Sequence, residues 1–268
     1  MDPVRPEFVP DPSLSRAEME ALQRDIAAAA VFEDALPFDV ASLRTESDQR
    51  TLGDDPGEDT DEVPLVAGVD QAFVGDRAVS AVVVLRDGAV VEEVTAVAPA
   101  AIPYIPGLLS FREGGAILAA FEQLDHEPDV VLVDGSGRIH FREAGLATHI
   151  GVTLDVPTVG VAKNLLCGRP RTSLDRKLSV GERVAIEADA DVETAAAGTV
   201  IGYAVQTRQY DSPNRHINPL VVSPGHRVSA ATAADLVLAM ATDYKLPEPT
   251  RLADSAADAA RDRVETGE

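Results

Sequence analysis

The chain has 268 residues, 45% of them hydrophobic, enough for one sizeable core, and this predicts a single α/β domain with tails. A formal net charge of −22 and only three lysines (Lys163, Lys177, Lys245) argue against a protein that grips a polyanion through bulk positive charge. The single cysteine, Cys167, rules out an internal disulfide and is poor material for a zinc site, so it reads as a small buried apolar residue.

Residues 1–12 carry prolines without periodicity and predict a flexible lead-in. From Ser13 to about Val31, Met19, Leu22 and Ile26 recur at helical spacing, with Ser15 and Glu18 placed for a capping box. The segment 44–63 is acidic and broken by Gly and Pro, which predicts an exposed linker. Three β-rich runs follow, Leu65 to Phe73, Ala78 to Leu85 and Ala89 to Val97, separated by turn residues as in an antiparallel meander. A loop is forced by Pro103-Tyr104-Ile105-Pro106-Gly107, and helix is predicted from Phe111 to Leu124. Asp129 to Val133 has the apolar character of a buried parallel strand. Beyond it the pattern predicts helix near 144–150, strand over 158–162, an irregular stretch from 168 to 197, and strands over 199–206 and 220–223. A last helix is predicted from about Ser229 to before Pro247, with a flexible acidic tail over 252–268. A meander followed by helix, strand, helix and strand is the order of a ribonuclease H-like fold, a mixed central sheet flanked by helices, with residues 13–251 as one domain. No apolar run is long enough to span a membrane, and the first residues lack a basic or apolar leader, so a soluble, cytoplasmic monomer is expected.

Three acids could carry chemistry. Asp70 interrupts the apolar run Val66 to Phe73, where a buried carboxylate needs a metal or cation, although the strand could equally end or face solvent there. Asp134 closes the run Val130 to Val133 and opens the Gly135-Ser136-Gly137 turn, either as an ordinary Asp-Gly turn or as a group beside a closely approaching nucleic-acid backbone. Glu113 fits a capping box with Ser110 as N-cap, or serves as a third ligand. Together they have the composition of a two-metal phosphodiester site, whose hard oxygens suit magnesium or manganese. Lys163, at the end of an apolar run, is placed to balance carboxylates or meet phosphate. His226, in Ser-Pro-Gly-His before the last helix, reads either as a general acid or phosphate contact or as a structural histidine.

Several segments together resemble the endonuclease V family: VDQAF at 69–73, PYIPGLLSFREG at 103–114, VDGSGRIHFREAGLATHIG at 133–151, VPTVGVAKNLLCG at 156–168, SPGHRVS at 223–229 and YKLPEPTR at 244–251. The resemblance spans about 65 to 251. It implies magnesium-dependent hydrolysis, with manganese as a substitute, of the second phosphodiester bond 3′ to deoxyinosine, in double- or single-stranded DNA. It also implies roles: Asp70, Glu113 and Asp134 as metal carboxylates, Lys163 and His226 as catalytic helpers, and Tyr104 as a wedge filling the space of a flipped base. Gly107, Leu109, Gly135, Gly145 and Leu146 would line the base pocket, and His140 and Arg142 would lie near phosphate. Phe141 and Gly115 stand where the family usually has proline, which puts local backbone geometry in question. Another ribonuclease H-like phosphotransferase, such as a resolvase or ribonuclease, would use the same carboxylates but leave the Tyr104 loop without a task; a non-catalytic nucleic-acid-binding module would keep the acids as structural groups.

The excess of acids, the scarcity of lysine, and alanine and valine in place of large aromatics point to a halophilic host. At about 1 M salt the Debye length is only ~3 Å, so local contacts rather than global charge govern binding.

Overall fold

The computed structural model describes residues 1–43, 63–212 and 214–267, so the segment expected as an acidic linker lies outside the described residues except for Val63. Strands β1 (Leu65–Val74), β2 (Arg77–Arg86) and β3 (Ala89–Pro99) form the predicted meander, each joined to the next by a two-residue turn. Next come β4 (Val130–Asp134) and β5 (Thr158–Ala162), parallel to β1. After them β6 (Arg169–Pro170), β7 (Arg183–Glu187), β8 (Val200–Val205) and β9 (Leu220–His226) extend the sheet antiparallel. Among the described residues the nine strands form one mixed sheet in the order β3-β2-β1-β4-β5-β9-β8-β7-β6. This is the ribonuclease H-like arrangement of a mixed sheet flanked by helices.

Alternation along the strands decides which helix each face receives. Ala67, Val69, Val131 and Val133 point to one face, where Ile117 and Phe121 of α2 (Leu109–Phe121) and Ile150 of α3 (Leu146–Leu154) complete a core. Val66, Val130 and Leu132 point to the other, covered by Leu236 and Val237 of α4 (Ala230–Ala239), whose N-cap Ser229 accepts from the Thr232 amide at 3.2 Å. Helix α1 (Arg16–Ala29) forms as expected, with both capping-box bonds between Ser15 and Glu18.

Two expectations fail at the ends of the chain. The stretch after Arg251 is not a flexible tail but part of α5 (Glu248–Thr266), which packs on β1 and β2. Its buried face is Ala253, Ala256, Ala257 and Ala260, at the i, i+3, i+4, i+7 spacing of one helical stripe. Small methyls carry little hydrophobic signal, yet they let the helix lie close to the sheet. Gly68 completes that approach, because a Cβ there would stand 2.0 Å from the Pro249 carbonyl oxygen. The lead-in is also docked. The Met1 ammonium donates to the Phe121 carbonyl at 2.6 Å and the Arg5 amide to the Thr153 carbonyl at 3.0 Å, while His149 Nε2–H donates to Phe8 at 2.7 Å. Its own backbone groups pair with carbonyl and side-chain groups of α2 and α3, an association no local periodicity records.

Cys167 is buried in a third cluster with Ile139 and Ile186, and burial pushes its thiol up to about 12. No helix among the described residues is long and apolar enough to cross a membrane.

Candidate active site

The site is assembled at the carboxyl ends of β1 and β4. Val69 of β1 is level with Val133 of β4 in the parallel register, so the residues that follow, Asp70 and Asp134, are neighbours. Both share a face with Val66 and Leu132, the face on which α5 lies. That helix contributes Asp254, one position beyond the buried Ala253. One carboxylate oxygen from each of Asp70, Asp134 and Asp254 can be chosen so that all lie within 4.8 Å of one another. Sequence reading missed Asp254. Its one trace in the sequence was the helical spacing of the alanines around it, whose methyls carry too little hydrophobic weight to announce a packed face.

Lys163, directly after β5, places its ammonium 3.1 Å from Asp134 Oδ2 and 3.9 Å from Asp254 Oδ1. One cation does not offset three clustered acids. Burial, reinforced by Asp134, pushes the Asp70 carboxyl up to about 8, although the Gln71 amide donates to its Oδ1 at 2.8 Å. Burial also raises Asp134 against the lowering influence of Lys163. Desolvation pulls the Lys163 ammonium down, but Asp134, Asp70 and Asp254 outweigh it and hold it above its ordinary value. A group of hard oxygens that is short of positive charge fits a divalent cation of the magnesium or manganese class.

Glu113 approaches from α2, on the opposite face of the sheet, and does not join the three-acid group. The capping alternative is not realised: α2 starts at Leu109 with Leu108 as N-cap, and no side chain caps it among the described residues. Buried without that role, Glu113 is pushed up to about 7 by desolvation, with Arg112 opposing and Asp134 adding to the rise.

A cavity of about 450 Å³ opens beside Asp134 and Lys163. Tyr104, Gly107, Leu109, Gly135, Gly145 and Leu146 are among its lining residues. Tyr104 is 64% exposed in its proline-flanked loop, free of the core packing that would otherwise explain an aromatic there.

The expected position of His226 is corrected. His226 is fully buried and level with Thr158, at the end of β5 away from Lys163. Its Nε2 faces Asp155 Oδ1 at 3.2 Å and its Nδ1 accepts from the Val31 amide at 3.2 Å, so it is a structural histidine. A strand advances about 3.3 Å per residue, so the three residues from Thr158 to Val161, the partner of Asp134, separate it from the acids by about 10 Å along the strand. His140 lines the cavity but is buried, and desolvation holds it neutral, at about 4, so it brings no charge to a phosphate; Arg142 is buried with its guanidinium turned to Gln23 and Glu193. The ring of Phe141 lies against Gly107, where a Cβ would come within 3.0 Å of it, and Gly115 faces open space away from the cavity.

The family profile for Endonuclease V matches residues 48–255. The chain belongs to the endonuclease V family. It is 70% identical over 268 residues to the endonuclease V of the halophilic archaeon Haloarcula marismortui, covering 98% of each chain. The crystal structure of the endonuclease V from Streptomyces avermitilis superposes with a TM-score of 0.74 at 30% identity, covering 97% of this chain and 98% of that one. Endonuclease V of Ciona intestinalis, solved in complex with a 24mer DNA containing an inosine followed by a ribo-adenosine, superposes with a TM-score of 0.66 at 25% identity, covering 92% and 98%. An endonuclease V identity makes this chain a nuclease.

Proposed function

We propose that the protein is a magnesium-dependent repair endonuclease that recognises deoxyinosine in DNA and hydrolyses the second phosphodiester bond 3′ to it. The observation that carries this reading is the convergence of Asp70, Asp134 and Asp254 within 4.8 Å at the edge of a cavity whose rim bears the exposed Tyr104. Membership of the family and the inosine-containing DNA bound by the Ciona protein support the choice of lesion.

Asp70, Asp134 and Asp254 would hold the cation, with manganese able to replace magnesium, and Glu113 of α2 lies close enough to feel the charge of Asp134. The cation would supply Lewis acidity, polarising a water and a phosphate oxygen. The chain's own groups do the rest. Lys163 offsets part of the carboxylate charge and is half exposed, so a phosphate oxygen can reach its ammonium. Tyr104 fills the helix where a base has been displaced, and the cavity excludes water around that base. Backbone groups of the Gly107 and Gly135 segments, with no side chain of their own to intrude, leave room for a purine. In a protein of charge −22, these local contacts outweigh global repulsion only where salt screens it, so we assign the enzyme to a halophilic, cytoplasmic setting.

The decisive assay compares duplexes carrying one inosine, one uracil or no lesion, with and without magnesium, at molar KCl. Magnesium-dependent nicking of the inosine duplex alone, mapped to the second bond, is the expected result. Binding of that duplex without nicking under any divalent cation would exclude the enzymatic reading.

A further inference from the structure

The cavity wall contains a hydrogen-bonded group that none of the acids explains. Gly107 sits at φ +82°, a conformation glycine reaches without strain, and its carbonyl is surrounded by donors. Gln23 Nε2–H donates to it at 2.8 Å, His140 Nε2–H at 3.1 Å and Arg142 Nη2–H more weakly at 3.4 Å. The amide N–H on the far side of the same peptide group, that of Leu108, donates to the Ile105 carbonyl at 3.0 Å. The peptide between Gly107 and Leu108 is therefore held at both ends. Directly before it lies the Tyr104 loop; directly after it α2 begins, bringing Glu113.

The roles of the three donors are fixed by their own partners. His140 Nδ1 accepts from the Arg142 amide at 3.1 Å, which leaves the proton on Nε2 and makes the ring a donor toward Gly107. Arg142 Nε–H donates to Gln23 Oε1 at 2.8 Å, and its Nη1 faces Glu193 Oε1 at 3.3 Å. Gln23 is only 1% exposed and stands between a guanidinium, which can only donate, and a carbonyl, which can only accept. A primary amide of that length answers both. Glutamate would accept from Arg142 but turn an oxygen toward the Gly107 carbonyl, and leucine would do neither.

We infer that Gln23, on α1 and outside the 48–255 segment that matches the family, is a positioning residue that sets the Tyr104 loop and the cavity wall for the displaced base. Helix α1 is thereby part of the recognition apparatus. Arg24, one residue on, reinforces the link by pairing with Glu193 at 2.8 Å. The assignment to base recognition rests on the proposed deoxyinosine reading, whereas the pinning of the loop does not.

The test uses the full-length protein at molar salt with Gln23→Glu and Gln23→Leu. Gln23→Glu keeps the Arg142 contact, and a native circular dichroism spectrum at the assay temperature checks that the variant is folded. Loss of a buried donor to an otherwise partnered carbonyl predicts a KM for inosine duplex raised about ten- to a hundredfold, with kcat at saturating DNA unchanged. The loop is read independently. The chain has no tryptophan, so the indole introduced by Tyr104→Trp is a single fluorophore. Its anisotropy should fall, and its quenching by acrylamide rise, when Gln23→Glu is added. An unchanged KM together with unchanged anisotropy overturns the inference, as does a fall in kcat with KM unaltered. If the unsubstituted enzyme ignores inosine but the indole is freed by Gln23→Glu, the deoxyinosine reading fails and the pinning of the loop stands.

Discussion

The ammonium of Lys163 stands 3.1 Å from Asp134, and this contact joins the ends of two neighbouring parallel strands at the mouth of the cavity. The pair lies where β4 and β5 give out, at the carboxyl ends at which open α/β sheets place their ligands. Lys163→Met should slow single-turnover nicking by about 10²–10³-fold, the size of effect found when one stabilising donor is removed from a reacting oxygen. Because the ammonium also offsets carboxylate charge, manganese binding measured by calorimetry should become tighter. Weaker manganese binding in the variant would refute the charge-balancing role.

Asp254 distinguishes a site made of three acids on one face from one made of the meander and β4 alone. Asp254→Asn keeps the shape of the side chain and removes its charge. Manganese affinity should drop at least about tenfold, the lower end of what even outer-shell changes cost, while DNA binding in calcium persists. Asp134→Ala should abolish nicking and leave inosine binding largely intact.

His226 gives the contrary prediction. It is buried at the far end of β5 against Asp155 and the Val31 amide, so His226→Ala should lower unfolding free energy by about 1–3 kcal/mol. Nicking per folded molecule should be unchanged. A selective loss of kcat in a fully folded variant would return this histidine to the reaction.

Tyr104→Ala should narrow the difference in affinity between inosine and undamaged duplex, since stacking on a base is worth about 1–3 kcal/mol. Manganese affinity should not move, because the ring lies on the cavity rim and not among the carboxylates. Equal discrimination by the variant would remove the wedge role.

His149 carries a pH signature for the fold. Desolvation pushes it down to about 4 from an ordinary 6.5, and its Nδ1 has no partner among the described residues. Below pH 6.5 the unfolded chain takes up a proton that folded His149 refuses. Stability from this group is therefore complete above 6.5 and lost as pH falls toward 4, by up to about 3 kcal/mol at 1.36 kcal/mol per pH unit. Asp70 and Glu113 act with the opposite sign, so the comparison is between wild type and His149→Gln in urea unfolding across that range. The variant should show the smaller loss on acidification.

Alternation and turn residues determined the meander, the buried parallel strands and the helix opened by the Ser15 capping box, because those signals are local and repeat along the chain. The ordered motifs from Val69 to Arg251 likewise carried the family, and with it Asp70, Glu113 and Asp134. What the sequence could not decide was which of these groups meet. Glu113 looked like a helix cap until the start of α2 at Leu109 removed that role. His226 shared a motif with the site but not its end of the sheet, since its distance from Asp134 depends on the register between β5 and β9. Asp254 was hidden because alanine methyls bury too little area to announce a packed helix, and only the close approach of α5 over Gly68 brings that acid to the other two. Local pattern specified the meander, the buried parallel strands and the acids that end β1 and β4, but not β6 and β7, which lie in the stretch read as irregular; long-range register and helix docking, which no short window encodes, chose the partners.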